Sequence, residues 1–217
     1  MASVNSALQR ARATLASTGI DTAAPALDAE DRAEIAPPDP DALAVLQFTS
    51  GSTSEPKGVM LPHKVFCANL DGIAERGRLD VDNDVLVSWL PLYHDMGLVG
   101  LLGTTMTTGT SLVQGATQDL TGRPARWMEW VSRYRGTVTA GPNFAYALAA
   151  RALNRSEPLG LDSLRIALNG AEPIDPATVA TFVAAGERHG LRSGAVFPAF
   201  GMAELAIAGT FPEPGTG

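Results

Sequence analysis

The chain has 217 residues, of which 45% are hydrophobic and 18% charged, with a formal net charge of −7. That length suits one domain or one large subdomain. An acidic surface repels phosphate backbones, which argues against nucleic acid and anionic membrane surfaces as main partners. Cys67 is the only cysteine, so neither an intramolecular disulfide framework nor a thiolate metal cluster is available. In the apolar run Val65-Phe66-Cys67-Ala68 it reads as a packed core thiol. Met1 to Thr18 has no continuous apolar run and carries Arg10 and Arg12, unlike a secretory signal. No stretch approaches the ~20 apolar residues of a membrane span, so the expectation is a cytoplasmic protein without one.

Residues 1–40 form the first predicted unit: a helix over 4–17, with Val4, Leu8, Ala11 and Leu15 at helical spacing, then an Ala/Pro-rich segment ending in Ala36-Pro37-Pro38-Asp39-Pro40. From Asp41 to Gly217 an apolar-strand, turn and amphipathic-helix rhythm takes over. Leu43–Phe48 reads as a buried strand, Thr49–Gly58 as a loop and His63–Arg76 as a helix. Asp84–Leu90 is a second strand, ending at Pro91. Asp95 is placed to cap a helix through Met96, Leu98, Val99 and Leu102. Ser111–Val113 is a strand, and 123–134 a helix whose Trp127 and Trp130 belong to the core. Thr137–Thr139 is a strand, and Asn143 is placed to cap a helix reaching Leu153. Leu164–Leu168 is a strand. A helix over 175–189 has Pro176 in its first turn, and Ala195–Phe197 is the last strand. Strands alternating with helices predict an α/β fold, a mostly parallel sheet with helices on both faces. In such sheets ligands sit beyond the carboxyl ends of the strands, where the chemistry-bearing sequences here fall.

The segment Thr49-Ser50-Gly51-Ser52-Thr53-Ser54-Glu55-Pro56-Lys57-Gly58 puts hydroxyls, glycines and one lysine behind an apolar strand. Successive backbone N–H groups in such a loop make an anion nest, and Lys57 adds the point charge a phosphate needs. A flexible Ser/Gly connector is the bland alternative. A P-loop is excluded, because its Lys is preceded by Gly and followed by Ser or Thr, whereas Pro56 and Gly58 flank Lys57.

This loop resembles the phosphate loop of the acyl-adenylating superfamily, which includes acyl-CoA synthetases, luciferases and peptide-synthetase adenylation domains. Three further segments resemble that superfamily's motifs, in its order. Trp89-Leu90-Pro91-Leu92-Tyr93-His94-Asp95-Met96-Gly97-Leu98 is similar to its substrate gate. Leu168-Asn169-Gly170-Ala171-Glu172-Pro173-Ile174 is similar to its adenine-binding strand and turn. Phe197-Pro198-Ala199-Phe200-Gly201-Met202-Ala203-Glu204 is similar to the segment that stacks on adenine and holds the metal. The His-Asp-Met-Gly and Asn-Gly-Ala-Glu-Pro forms, with Gly141-Pro142-Asn143-Phe144-Ala145-Tyr146, are most like fatty acyl-AMP ligases.

The resemblance implies ATP and Mg²⁺ as cofactors, a fatty acid as substrate and an acyl carrier protein as acceptor. Coenzyme A as acceptor and a non-catalytic assembly partner are the alternatives. Thr49, Ser50, Gly51, Ser52, Thr53 and Lys57 would then cradle the ATP phosphates. Gly170, Ala171, Glu172 and Pro173 would line the adenine, with Phe200 stacked on it and Gly201 beside it. Glu204 would bind Mg²⁺ together with phosphate oxygens, and His94 would sit near the reacting carboxylate, making His94, Lys57 and Glu204 the candidate catalytic set. The helix carrying Phe144, Leu148 and Leu153 reads equally as core or as a wall of the acyl tunnel. Ser54 stands where the family commonly has glycine, and Phe200 where it has tyrosine. Relatives of this kind are longer, with a ribose-binding aspartate and a catalytic lysine in later sequence, so the chain reads as a part of the large domain, with weak or no turnover by itself.

Overall fold

The computed structural model describes residues 39–49 and 57–216. The predicted helix over 4–17, most of the Ala/Pro segment, and Ser50, Gly51, Ser52 and Thr53 lie outside the described residues. Strand β1 (Leu43–Thr49) pairs antiparallel with β2 (Lys57–Pro62), and Thr49 faces Lys57 at the end of the ladder where the chain passes from one strand to the other. This differs from the expectation in two ways. The apolar run 43–48 is not buried in the parallel sheet but alternates between exposed and half-buried positions of a two-stranded ribbon. Lys57 and Gly58 belong to a strand rather than to the loop. A continuous apolar run does not by itself tell a strand buried on both faces from one covered on one side.

Helix α1 (His63–Arg76) follows at once and buries Leu70, with Phe66 and Ile73 half-buried on the same face. Phe66, Leu70 and Ile73 follow the helical i, i+4, i+7 spacing that faces the core. Cys67 falls off that stripe and is exposed, so the packed-thiol reading is wrong.

The main sheet has five parallel strands in the order β4-β3-β5-β6-β7: β3 (Val85–Ser88), β4 (Ser111–Gln114), β5 (Val138–Gly141), β6 (Ile166–Asn169) and β7 (Val196–Pro198). Beyond it a short antiparallel pair joins β8 (Phe200–Gly201) to β9 (Ala208–Thr210). Asp95 accepts a hydrogen bond from Met96 N–H and opens a wide π-helical stretch, Met96–Gly103, that runs into α2 (Thr104–Thr108). A short α3 (Thr117–Gly122) precedes α4 (Ala125–Arg133); α5 (Asn143–Leu153) and α6 (Pro176–Glu187) follow β5 and β6.

Helices α4, α5 and α6 pack on one face of the sheet, where a run of rings links Trp89, Trp127, Tyr146 and Phe182 with centroids 5.7, 5.0 and 4.9 Å apart. The Trp127 indole N–H donates to Thr139 Oγ1 at 2.7 Å, and Tyr146 Oη donates to the Leu168 carbonyl at 2.7 Å. These buried polar tips are thereby satisfied, as the low-dielectric interior requires. Helix α1 and the Met96–Gly103 stretch cover the opposite face. Asn143 does not cap α5. Its side-chain oxygen instead accepts from Asn169 Nδ2 at 3.3 Å and from Asp175 N–H at 3.2 Å, tying two strand ends together. Asp175 does cap α6, accepting from the N–H groups of Ala177 and Thr178.

Candidate active site

From β3 the chain passes outward to β4 and returns to β5 on the other side of β3. This reversal opens a crevice beyond the carboxyl ends of the strands. The segments Trp89–Asp95, Pro142–Asn143, Gly170–Pro173 and Ala199–Gly201 leave the carboxyl ends of β3, β5, β6 and β7 and surround it.

His94 stands at the rim. Its Nδ1 is 2.8 Å from Asp95 Oδ1, and the same oxygen accepts Met96 N–H at 2.7 Å. The hydrogen bond that the protonated ring donates to Asp95 raises its pKa above the ordinary value; partial burial opposes this and the Asp95 charge adds to it. Met96 N–H also lies 3.2 Å from Nδ1, so with Nδ1 engaged by Asp95 and Met96, Nε2 is the nitrogen left for a ligand. The tight path from Pro91 to Gly97 requires glycine at 97, since a Cβ there would collide with the Pro91 carbonyl.

On the facing side, Gly170 lies so close to the next strand end that a Cβ would come 2.8 Å from the Ala199 carbonyl. Ala171 holds a left-handed φ of 69°, uncommon for a residue with a side chain. Backbone of this kind, open and slightly strained, suits close approach by a flat ligand. Glu172 is exposed, and its Oε1 accepts Phe144 N–H, an otherwise unpaired donor in the first turn of α5, at 2.7 Å. Pro173 is exposed outside the cavity lining. Phe200, 63% exposed, offers a free ring face beside Gly201.

An apolar cavity of about 250 Å³ opens onto this rim and runs beneath α1 along the sheet. At the rim it touches His94, Gly170, Ala171, Phe200 and Gly201; at depth it is walled by Leu86, Val138 and Ile166. Helix α5, read as core or as tunnel wall, contributes nothing to that lining: it lies on the other face of the sheet, and Phe144 is half-exposed. Its buried face is Ala145, Tyr146, Ala149, Ala150 and Leu153.

Lys57 and Glu204 lie outside that lining, on neighbouring elements. Glu204 is exposed on a 3₁₀ turn, Ala203–Leu205, and strand β2, which begins with Lys57, packs against that turn. Thr49 Oγ1 donates to the Lys57 carbonyl at 3.4 Å. The structure therefore brings His94, Gly170, Ala171, Phe200 and Gly201 to one rim, and Lys57 and Glu204 to neighbouring elements. Asn69 was not singled out in the sequence. From α1 it donates to Ala208 O at 2.9 Å and accepts Ala208 N–H at 3.1 Å, anchoring β9 against the rim. No local motif marks such a residue; only the tertiary pairing shows it.

The sequence profile of the AMP-binding enzyme family matches residues 3–216. The Mycobacterium tuberculosis protein Rv1013 is 45% identical over 180 residues, covering 82% of this chain and 33% of that protein. The medium-chain-fatty-acid–[acyl-carrier-protein] ligase JamA of Moorena producens is 41% identical, covering 77% of this chain and 28% of the ligase. Among solved structures, the fatty acid AMP ligase from Legionella pneumophila superposes with a TM-score of 0.78 at 34% identity, over 82% of this chain and 31% of that one. The chain thus spans about a third of the length of these relatives.

Proposed function

We propose that this chain, which belongs to the AMP-binding enzyme family, carries the acid- and adenine-facing part of a ligase that activates a fatty acid with ATP to an acyl-adenylate and passes it to an acyl carrier protein. The observation that carries this reading is the apolar cavity whose rim holds a histidine on one side and a glycine-alanine turn and an open aromatic ring on the other. An acyl chain gains from apolar burial in such a space, roughly 0.8 kcal/mol per methylene, which leaves its carboxylate at His94. Asp95 beside Nδ1 favours the protonated ring, and in that form His94 steadies the carboxylate. Holding the acid at the rim orients a carboxylate oxygen for attack on the α-phosphorus, with pyrophosphate leaving.

The Gly170–Ala171 backbone and the Phe200 ring fit a flat base, and Lys57 fits a phosphate. Among the described residues there is no group of three or more His, Cys, Asp or Glu side chains that could hold a metal ion. Glu204, a single exposed carboxylate, fits the way Mg²⁺ is held, by one or two carboxylates together with substrate phosphates. When bound, the ion would neutralise charge on the phosphates. The carrier protein is favoured as acceptor by the likeness to the Moorena ligase, which acts with an acyl carrier protein.

The test uses an enzyme that extends this chain to the length of its relatives. It should show pyrophosphate exchange that depends on a fatty acid, and acyl transfer to a carrier-protein thiol in preference to coenzyme A. Exchange driven by amino acids but not by fatty acids would overturn the substrate assignment, and preference for coenzyme A would overturn the acceptor.

A further inference from the structure

Away from the rim, the cavity ends where α1 gives way to β3. Ile73, Gly77 and Leu79 line it there, opposite Leu86, Val138 and Ile166 at the amino ends of their strands. The turn carrying Gly77 and Leu79 is held by backbone bonds to the last turn of α1, by the Arg78–Glu213 ion pair, and by the Arg165 guanidinium, which ties it to the sheet. Arg165 donates through Nη1 to the Gly77 carbonyl at 2.8 Å and through Nη2 to the Arg78 carbonyl at 3.1 Å. The same side chain grips Asp84 with Nε at 2.9 Å and Nη2 at 2.6 Å. Asp84, 4% exposed, also accepts from Thr137 Oγ1 at 2.6 Å and from Asp80 N–H at 2.8 Å. Arg78 sits in the left-handed region at φ 48°, a conformation that outside contacts must hold. The end of the cavity is therefore a clamped wall rather than a loose loop.

Resting on the acyl reading above, we infer that Leu79, held in place by Arg165, sets the length of acid this site accepts, and that the acid is of medium length, about ten carbons. Two estimates agree. From Ile166 to Gly170 the strand rises about 13 Å at roughly 3.3 Å per residue. An extended chain with bonds near 1.5 Å advances about 1.25 Å per carbon, which gives about ten carbons over that distance. Independently, an apolar cavity of about 150 Å³ takes a benzene ring, and scaling to the cavity of about 250 Å³ here again gives about ten. Leu79 is the specificity residue because its side chain lines the cavity end from a segment that belongs to neither the sheet nor a helix. Arg165 is a positioning residue acting through it.

The test measures binding of hexanoate, octanoate, decanoate, dodecanoate and palmitate to this chain by calorimetry, below micelle-forming concentrations. Affinity should climb by about fourfold per added carbon up to decanoate and then stop climbing. Leu79→Ala should move the break toward dodecanoate, and Leu79→Phe toward octanoate. Arg165→Lys, which keeps the charge but loses the planar fork, should blur the break. Circular dichroism confirms that each variant is folded. An unmoved break in both folded Leu79 variants overturns the inference and leaves the acyl reading standing. Failure of every acid to bind the parent chain overturns both. A break that stays sharp in Arg165→Lys removes Arg165 from the account.

Discussion

At the scale of single residues, the site depends on how His94 is charged. Asp95 raises its pKa above the ordinary 6.5 through a hydrogen bond, which outweighs partial burial. A histidine with a raised pKa contributes stability that is fully present below its unfolded value and is lost as pH rises through the folded one. The ring is half-exposed, so solvent screens much of that contribution. Removing the carboxylate charge leaves burial acting with little opposition. Asp95→Asn should therefore lower the His94 titration midpoint, followed by NMR against the other two histidines, His63 and His189. An unchanged midpoint would show that the pair does not control the charge at the rim. Outside the cavity lining, Glu204→Ala in an enzyme of the relatives' length should reduce Mg²⁺-dependent adenylation by roughly a hundredfold or more, several kcal/mol of charge stabilisation. Steady-state rates across a Mg²⁺ series check this, and normal activity would remove Glu204 from the metal site. His94, Gly170 and Phe200 could be singled out from their motifs. Asp84, Arg165 and Asn69 could not, because each pairs with a residue or backbone group far along the chain.

At the scale of elements, the Asp84–Arg165 clamp joins the start of β3, the segment entering β6 and the turn after α1. Burial alone would raise the Asp84 carboxyl, but hydrogen bonds from Arg165, Thr137 and Asp80 N–H outweigh it and hold the group below 3.8. A depressed carboxyl contributes stability that is present above its unfolded pKa and is lost as pH falls through the folded one. The protein should therefore soften below about pH 4 partly through this group. Asp84→Asn leaves the half-buried Arg165 guanidinium without its counter-charge, at a cost of about 2 kcal/mol once solvent screening is allowed for. Urea unfolding at pH 7 should show that loss, and the variant's remaining stability should depend less steeply on acid than the parent's. Equal steepness would place the acid sensitivity elsewhere. Element bounds also separate the legible from the hidden. Helix α1 was legible because His63–Arg76 carries Phe66, Leu70 and Ile73 at helical spacing. Strand β2 was not, since Lys57-Gly58-Val59-Met60-Leu61-Pro62 mixes glycine and proline and becomes a strand only against β1.

At the scale of the whole molecule, the two layers have different jobs. The aromatic layer under α4, α5 and α6 is ring-packed, while the layer under α1 retains a cavity. A ligand that binds only the folded chain adds stability by mass action, about 2.7 kcal/mol at a hundredfold excess over Kd. For a chain of this size that is roughly 5–10 °C in Tm. Decanoate at saturating concentration should raise the melting temperature by that order. Gly100→Leu, which fills the cavity from the Met96–Gly103 stretch, should abolish the rise. A rise that persists in Gly100→Leu would mean that the acid binds elsewhere. Among the described residues no helix is long and apolar enough to cross a membrane.

The parallel α/β plan, the chain order of the five main-sheet strands and of helices α1, α4, α5 and α6, and the motif segments at strand ends were legible in the sequence alone. Apolar runs separated by capped, amphipathic stretches and turn residues are local signals, and local signals survive without the fold. The tertiary structure alone decided which apolar run enters the main sheet, as the exposed ribbon of β1 and β2 shows. It also decided which face keeps a cavity, and left α5 outside that cavity's lining. Cys67 changed from core to surface for the same reason. Apolarity states that a residue can be buried, but which of several apolar faces is buried depends on the partner that arrives from elsewhere in the chain.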